Sequence, residues 1–151
     1  VDTDIIELPD WKLLKNEVGT QFNNFCILRG KEYINFGEDV WVGYFTLLDG
    51  SAGLKIGTKV AISSGVHIYT HDTSFHKALN TPKQPDASHV LRASVNIGNN
   101  VQIGANSIIL PGVTIGNNVI IGACSLVNRD IPDNSIAVGN PCKIKKTIIN
   151  E

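Results

Sequence analysis

Aliphatic residues recur along this chain at a fixed interval of six. From Ile97 the series runs Ile97, Ile103, Ile109, Ile115, Ile121 and Val127, and the residues that follow are Gly98, Gly104, Leu110, Gly116, Gly122 and Asn128. The fifth place of each hexad is small or branched: Val101, Ser107, Val113, Val119, Ser125 and Ile131. A less regular copy leads with Phe36, Val42 and Leu48; after a two-residue slip the leads become Ile56, Ile62 and Ile68. A period of six matches neither the 3.6 of an amphipathic helix nor the alternation of an ordinary strand. It predicts short flat strands separated by turns, with the lead residue inward and the Gly or Asn behind it taking the corner conformation. Three such sides close one coil of a triangular prism, and stacked coils form parallel ladders around a continuous core. A β-sandwich is the competing architecture, but its strands do not keep one inward residue every six positions over so long a run.

Composition fits this picture. Of 151 residues, 32 are Ile or Val and 14 are Gly, which suits one strand-rich domain rather than two. A net charge of -1 argues against a basic surface for nucleic acid or membrane. Cys26, Cys124 and Cys142 are odd in number and lack a CxxC pair, so neither a disulfide framework nor a zinc knuckle is expected. No stretch approaches the roughly 20 apolar residues of a membrane span, and the start VDTDIIELPDWK lacks the features of a secretory signal. A cytoplasmic location is the expectation.

The run IGNNVQIGANSIILPGVTIGNNVIIGACSLVNRDIP, followed by AVGNPCKI, resembles the hexapeptide-repeat acyltransferase family. Within that family it is most similar to sugar O-acetyltransferases of the maltose and galactoside type and of polysaccharide biosynthesis. The resemblance implies an all-β, left-handed parallel β-helix with one protruding loop and short terminal caps. The expected divisions are a cap over residues 1–30, the β-helix over 34–132 with a loop at 69–95, and a tail over 133–151. It also implies acetyl-coenzyme A as donor, a sugar or nucleotide-linked sugar as acceptor, no required metal, and a homotrimer with transfer sites between neighbours.

The hexads lapse between Ile68 and Ile97, and all four histidines, His67, His71, His76 and His89, fall around this break. Acyl transfer to a hydroxyl needs a base of near-neutral pKa, a role that imidazole fits. The resembling family takes its histidine from the loop after a GVxIxT stretch. Here that stretch is GVHIYT, Gly65 to Thr70, and His71 follows in a THDT setting. An ungapped overlay with the maltose and galactoside enzymes puts their histidine at Thr73 instead, which keeps His76 as the alternative. His67 is expected to face outward on a coil, and His89 to lie on the surface or beside the acceptor.

A base also needs an orienting group. Asp49, in TLLDG, and Asp72 are the candidates, against the plainer reading of both as solvated turn residues. On the donor side the resemblance implies corner positions Ala105 and Ala123 along the pantetheine, and Arg129, Lys143 and Lys146 near the phosphates. Gln102 stands where many members carry Trp, which removes an aromatic wall from the acceptor side. Cys124 is expected to be a packed thiol.

Three other functions compete. One is N-acetylation of a nucleotide-linked amino sugar, on the same fold with the same donor. Another is a γ-class carbonic anhydrase-like zinc enzyme, for which His71 and His76 have a suitable spacing. Its third ligand should lie near Ile34, Asn35 or Phe36, and no histidine precedes His67. The last is a non-catalytic solenoid scaffold.

Overall fold

Short parallel strands stack in three columns, which form the faces of a prism of about five coils. The computed structural model describes residues 3–6, 14–15, 19–23, 25–73 and 90–148. The first face carries Cys26–Arg29, Leu47–Asp49, His67–Ile68, Ile108–Ile109 and Leu126–Val127. The second carries Ile34–Phe36, Leu54–Ile56, Val95–Ile97 and Thr114–Ile115, and the third carries Gln21–Phe22, Val40–Val42, Val60–Ile62, Val101–Ile103, Val119–Ile121 and Ser135–Val138. Each coil visits the third, first and second faces in turn. The register brings equivalent hexad positions together, as in Val60, Val101 and Val119, and in Ile62, Ile103 and Ile121.

The lead position is inward as expected, and the fifth place is inward with it. The leads Ile97, Ile103, Ile109, Ile115, Ile121 and Val127 are at most 2% exposed, and the fifth-place residues from Val101 to Ile131 are buried beside them. The corners differ from expectation. Left-handed backbone falls three residues after the lead, at Asn100, Asn106, Gly112, Asn118 and Cys124. The glycine directly behind the lead has a different role, which is to permit close approach of the coils. A Cβ on Gly98 would lie 2.7 Å from the carbonyl carbon and oxygen of Gly116 in the next coil. Gly98→Ala is therefore expected to destabilise the protein by about 1–3 kcal/mol, read as a lower denaturant midpoint at unchanged slope.

The paired asparagines of the GNN corners form ladders between coils. Asn99 Oδ1 accepts from Thr58 N at 2.8 Å, Asn117 Oδ1 from Asn99 N at 2.8 Å, and Asp133 Oδ1 from Asn117 N at 2.7 Å. Side-chain amides continue beside them from Asn100 to Asn118 and from Asn118 to Asn134. These bonds satisfy corner N–H groups that have no strand partner.

The solenoid extends beyond both expected boundaries. Cys26–Arg29 pairs in parallel with Leu47–Asp49, and Gln21–Phe22 pairs in parallel with Val40–Val42, so a full coil precedes residue 34. This coil is faint in the hexad pattern because only Phe22 and Leu28 lead it before the spacing changes to Phe36, and Asn23 stands where later coils carry glycine. Thr3–Ile6 and Leu14–Lys15 add antiparallel strands to that coil. At the other end Ser135–Val138 extends the third face, and Lys143–Thr147 turns back antiparallel along it. These additions cover open sheet edges. Lys31–Tyr33, a single 3₁₀ turn, is the only helix among the described residues.

Candidate active site

The loop that interrupts the hexads leaves the prism at the edge between the first and second faces. Its base is a ribbon, His71–Asp72 paired antiparallel with Leu91–Arg92, and this ribbon holds His71 over the end of the Leu47–Asp49 strand. His71 Nδ1 lies 2.6 Å from Asp49 Oδ2. The expected solvated turn at Asp49 is corrected, since the carboxylate is 0% exposed. Oδ2 also accepts from the Thr70 N–H at 3.0 Å and the Thr70 hydroxyl at 3.1 Å, and Oδ1 accepts from Ser51 N at 3.0 Å. Thr70 Oγ1 is fixed in turn by the Ala52 N–H at 3.0 Å.

Burial acts to raise the Asp49 pKa. The hydrogen bonds from Ser51, His71 and Thr70 outweigh it and lower the value from 3.8 to about 2. Asp49 is thus a carboxylate throughout the neutral range, and it can only accept. On the far side of the ring Arg29 Nη1 stands 3.2 Å from His71 Nε2. A guanidinium only donates, so the contact assigns the lone pair to Nε2 and the proton to Nδ1, facing Asp49. This is the tautomer a base with a carboxylate behind it requires. His71 borders a hollow of about 260 Å³, lined by Tyr69, His71, Asp72, Thr73, Leu110 and Pro111.

Arg29 has no counterpart in the hexad reading because it lies in the coil assigned to the N-terminal cap. Its register partner on the first face is Asp49, twenty residues on. One coil upstream of the candidate carboxylate was the place to look.

The other candidate residues divide. Asp72 is exposed and lies opposite Leu91 in the ribbon. His67 takes the expected outer position on the first face, with Nδ1 3.2 Å from the Tyr69 hydroxyl. His76 and His89 lie outside the described residues. Ala105 and Ala123 occupy successive corners between the third and first faces, linked by the Cys124 N–H to Ala105 O bond at 2.8 Å. They sit on a different edge of the prism from His71, so one chain does not bring them together. Arg129 lies on the His71 edge, while Lys143 and Lys146 lie on the closing strand of the third face, all three exposed. Cys124 is not packed. It is exposed on left-handed backbone, because Ser125 takes the inward place after it. Gln102 is exposed and donates to Ser63 Oγ at 2.9 Å. Its row on the third face also holds Trp41, Ala61 and Ile120, so an exposed indole stands two coils away.

Relatives of known class share this architecture. Residues 94–129 match the family described as bacterial transferase hexapeptide (six repeats). The chain is 42% identical over 135 residues to Protein CapG of Staphylococcus aureus, which covers 87% of this chain and 68% of that protein. Among solved structures, AntD, an N-acyltransferase from Bacillus cereus in complex with dTDP and 3-hydroxybutyryl-CoA, aligns with a TM-score of 0.76 at 33% identity, over 87% of this chain and 70% of that one. A maltose O-acetyltransferase from Clostridium difficile 630 aligns at 0.59 and 34% identity, over 82% and 66%. The chain therefore belongs to the hexapeptide-repeat acyltransferase family and has its left-handed parallel β-helix. It is an acyltransferase of that class.

Proposed function

We propose that this protein transfers an acetyl group from acetyl-coenzyme A to a hydroxyl of a sugar or nucleotide-linked sugar, with His71 as general base. The observation that carries this reading is the 2.6 Å contact of His71 Nδ1 with the buried, ionised Asp49. A sugar hydroxyl is too weak an acid to attack a thioester unaided, and a neutral imidazole backed by a carboxylate removes its proton during attack. The hydroxyl oxygen bonds to the thioester carbonyl carbon as Nε2 takes the proton. The tetrahedral intermediate then collapses by breaking the C–S bond, and the Nε2 proton passes to the departing thiolate. Asp49 offsets the charge on the imidazolium in between.

An amine acceptor is the second reading, supported by the likeness to AntD, a structure of which holds dTDP-4-amino-4,6-dideoxyglucose and coenzyme A. An amino group that reaches the site unprotonated attacks without a strong base, so the paired imidazole favours the hydroxyl. Donor corners on one prism edge and a base on another suit a site completed between two copies, as in a homotrimer. In that arrangement Ala105 and Ala123 of one copy approach the pantetheine, and Arg129, Lys143 and Lys146 contribute to holding the phosphates.

The test is thiol release from acetyl-coenzyme A with free sugars, nucleotide-linked sugars and their amino counterparts as acceptors. Release with hydroxyl acceptors upholds the first reading, and release with amino sugars alone replaces it by the second. Acetyl-coenzyme A at a hundred times its Kd is expected to stabilise the protein by about 2.7 kcal/mol without added metal, read as a raised melting temperature.

A further inference from the structure

Two arginines flank the candidate base in a chain of nearly neutral net charge, one by contact and one by register. Arg29 is half-buried at the end of its first-face strand, and its Nη1 meets His71 Nε2 at 3.2 Å. Arg92 is the cross-strand partner of His71 in the ribbon at the base of the loop, and residues directly opposite in an antiparallel pair project to the same side. Among the described residues the one carboxylate in contact with His71, Asp49, is already engaged by Ser51, Thr70 and the imidazole. Among the described residues neither arginine has a carboxylate within ion-pair distance.

Among the described residues the half-buried Arg29 guanidinium spends one donor, on an imidazole nitrogen, and the rest of its fork meets no other side chain of theirs. Its strongest partners are the paired oxygens of a carboxylate or phosphate. Where the acyl group is transferred, the anionic end of an extended coenzyme A is distant, so the anion must come from the other substrate. The acceptor hydroxyl must also reach Nε2, where Arg29 now sits, and an anionic group close to that hydroxyl would draw the guanidinium aside.

We infer that Arg29 and Arg92 form an anion subsite beside His71, and that the preferred acceptor carries a carboxylate or phosphate near the hydroxyl that is acetylated. This rests on the acetyl-transfer reading for its meaning, but the subsite itself is open to a binding measurement. Titration calorimetry of the protein in the presence of coenzyme A would compare methyl glucuronide, glucose 1-phosphate and uncharged methyl glucoside. At least one anionic probe is expected to bind tenfold or more tightly than the neutral one. Whichever of the two binds more tightly identifies carboxylate or phosphate as the source.

Arg29→Gln and Arg92→Gln should each shrink that ratio, Arg29→Lys should keep part of it, and the double variant should bring it near one. Arg92 is exposed, so its variant keeps the test decisive if Arg29→Gln folds poorly. Equal affinity for all three probes in the unaltered protein, or a ratio unchanged in the variants, overturns the inference. A retained anion preference without thiol release from any acceptor upholds the subsite and removes the acetyl-transfer reading instead.

Discussion

His71→Ala is expected to lower acetyl transfer a hundredfold or more while the solenoid and its affinity for acetyl-coenzyme A are retained. The magnitude follows from the proposed general-base role, since removing such a base typically costs about 10²–10⁴ in rate. Retention of the fold follows from where the residue stands. The ring is part-exposed at the base of a loop, and the core beneath it is built from Leu48, Ile68 and Ile109, each 0% exposed. Asp49 loses one of its donors but keeps those from Thr70 and Ser51. The measurement is thiol release at saturating acetyl-coenzyme A, with a thermal shift by the donor as control for folding and binding. Turnover close to that of the unaltered protein would move the role to His76 or remove the mechanism.

Substitution of Asp49 is expected to affect stability as well as rate. In Asp49→Ala the Thr70 N–H, the Thr70 hydroxyl, the Ser51 N–H and the His71 N–H all lose their acceptor. Unsatisfied buried donors and a broken buried pair make a loss of about 3–5 kcal/mol the expected result, measured by denaturant unfolding. Asp49→Asn keeps the shape and one acceptor oxygen but no longer holds the imidazole proton on Nδ1. Its expected rate loss is about a hundredfold or more, with a smaller stability loss than for Ala. The same carboxylate gives a pH dependence of folding. Its folded pKa of about 2 lies below the unfolded value of 3.8, so its contribution is fully present above about pH 4 and is lost as pH falls through about 2. Asp49→Asn should flatten the acid limb of the stability curve in that window. An unchanged limb would show that the carboxylate gains nothing from its partners.

Much of the fold could be read from the chain, since each coil repeats one solution to the same packing problem. A lead residue such as Ile103 must be apolar and branched to fill the prism interior, and Gly104 must be small where the next coil passes. The periodicity reports both constraints. It is faint in the first coil, where only Phe22 and Leu28 lead before the spacing changes to Phe36 and Asn23 stands in the place that later coils give to glycine, so that coil reads as a cap. Cys124 misled for the opposite reason. A thiol reads as apolar, yet the left-handed corner turns it outward.

The site was legible only in part. The sequence offers His71 as base from its loop motif and both Asp49 and Asp72 as its orienting group, without deciding between the two carboxylates. The 2.6 Å contact of His71 with Asp49 depends on a parallel register that stacks Arg29 on Asp49 and on a ribbon that returns His71 across the same edge. Twenty-residue separations of this kind carry no local pattern, because loops of varying length separate the partners.

By itself the sequence determined the prism, its core positions and the coil at which a loop breaks out, because these follow from a repeated local rule. Only the tertiary structure decided which side chains share an edge, and therefore that a buried carboxylate, an imidazole and a guanidinium form one line. Hydrogen bonds across coils depend on register and on positions a few ångströms apart, which a period of six does not encode.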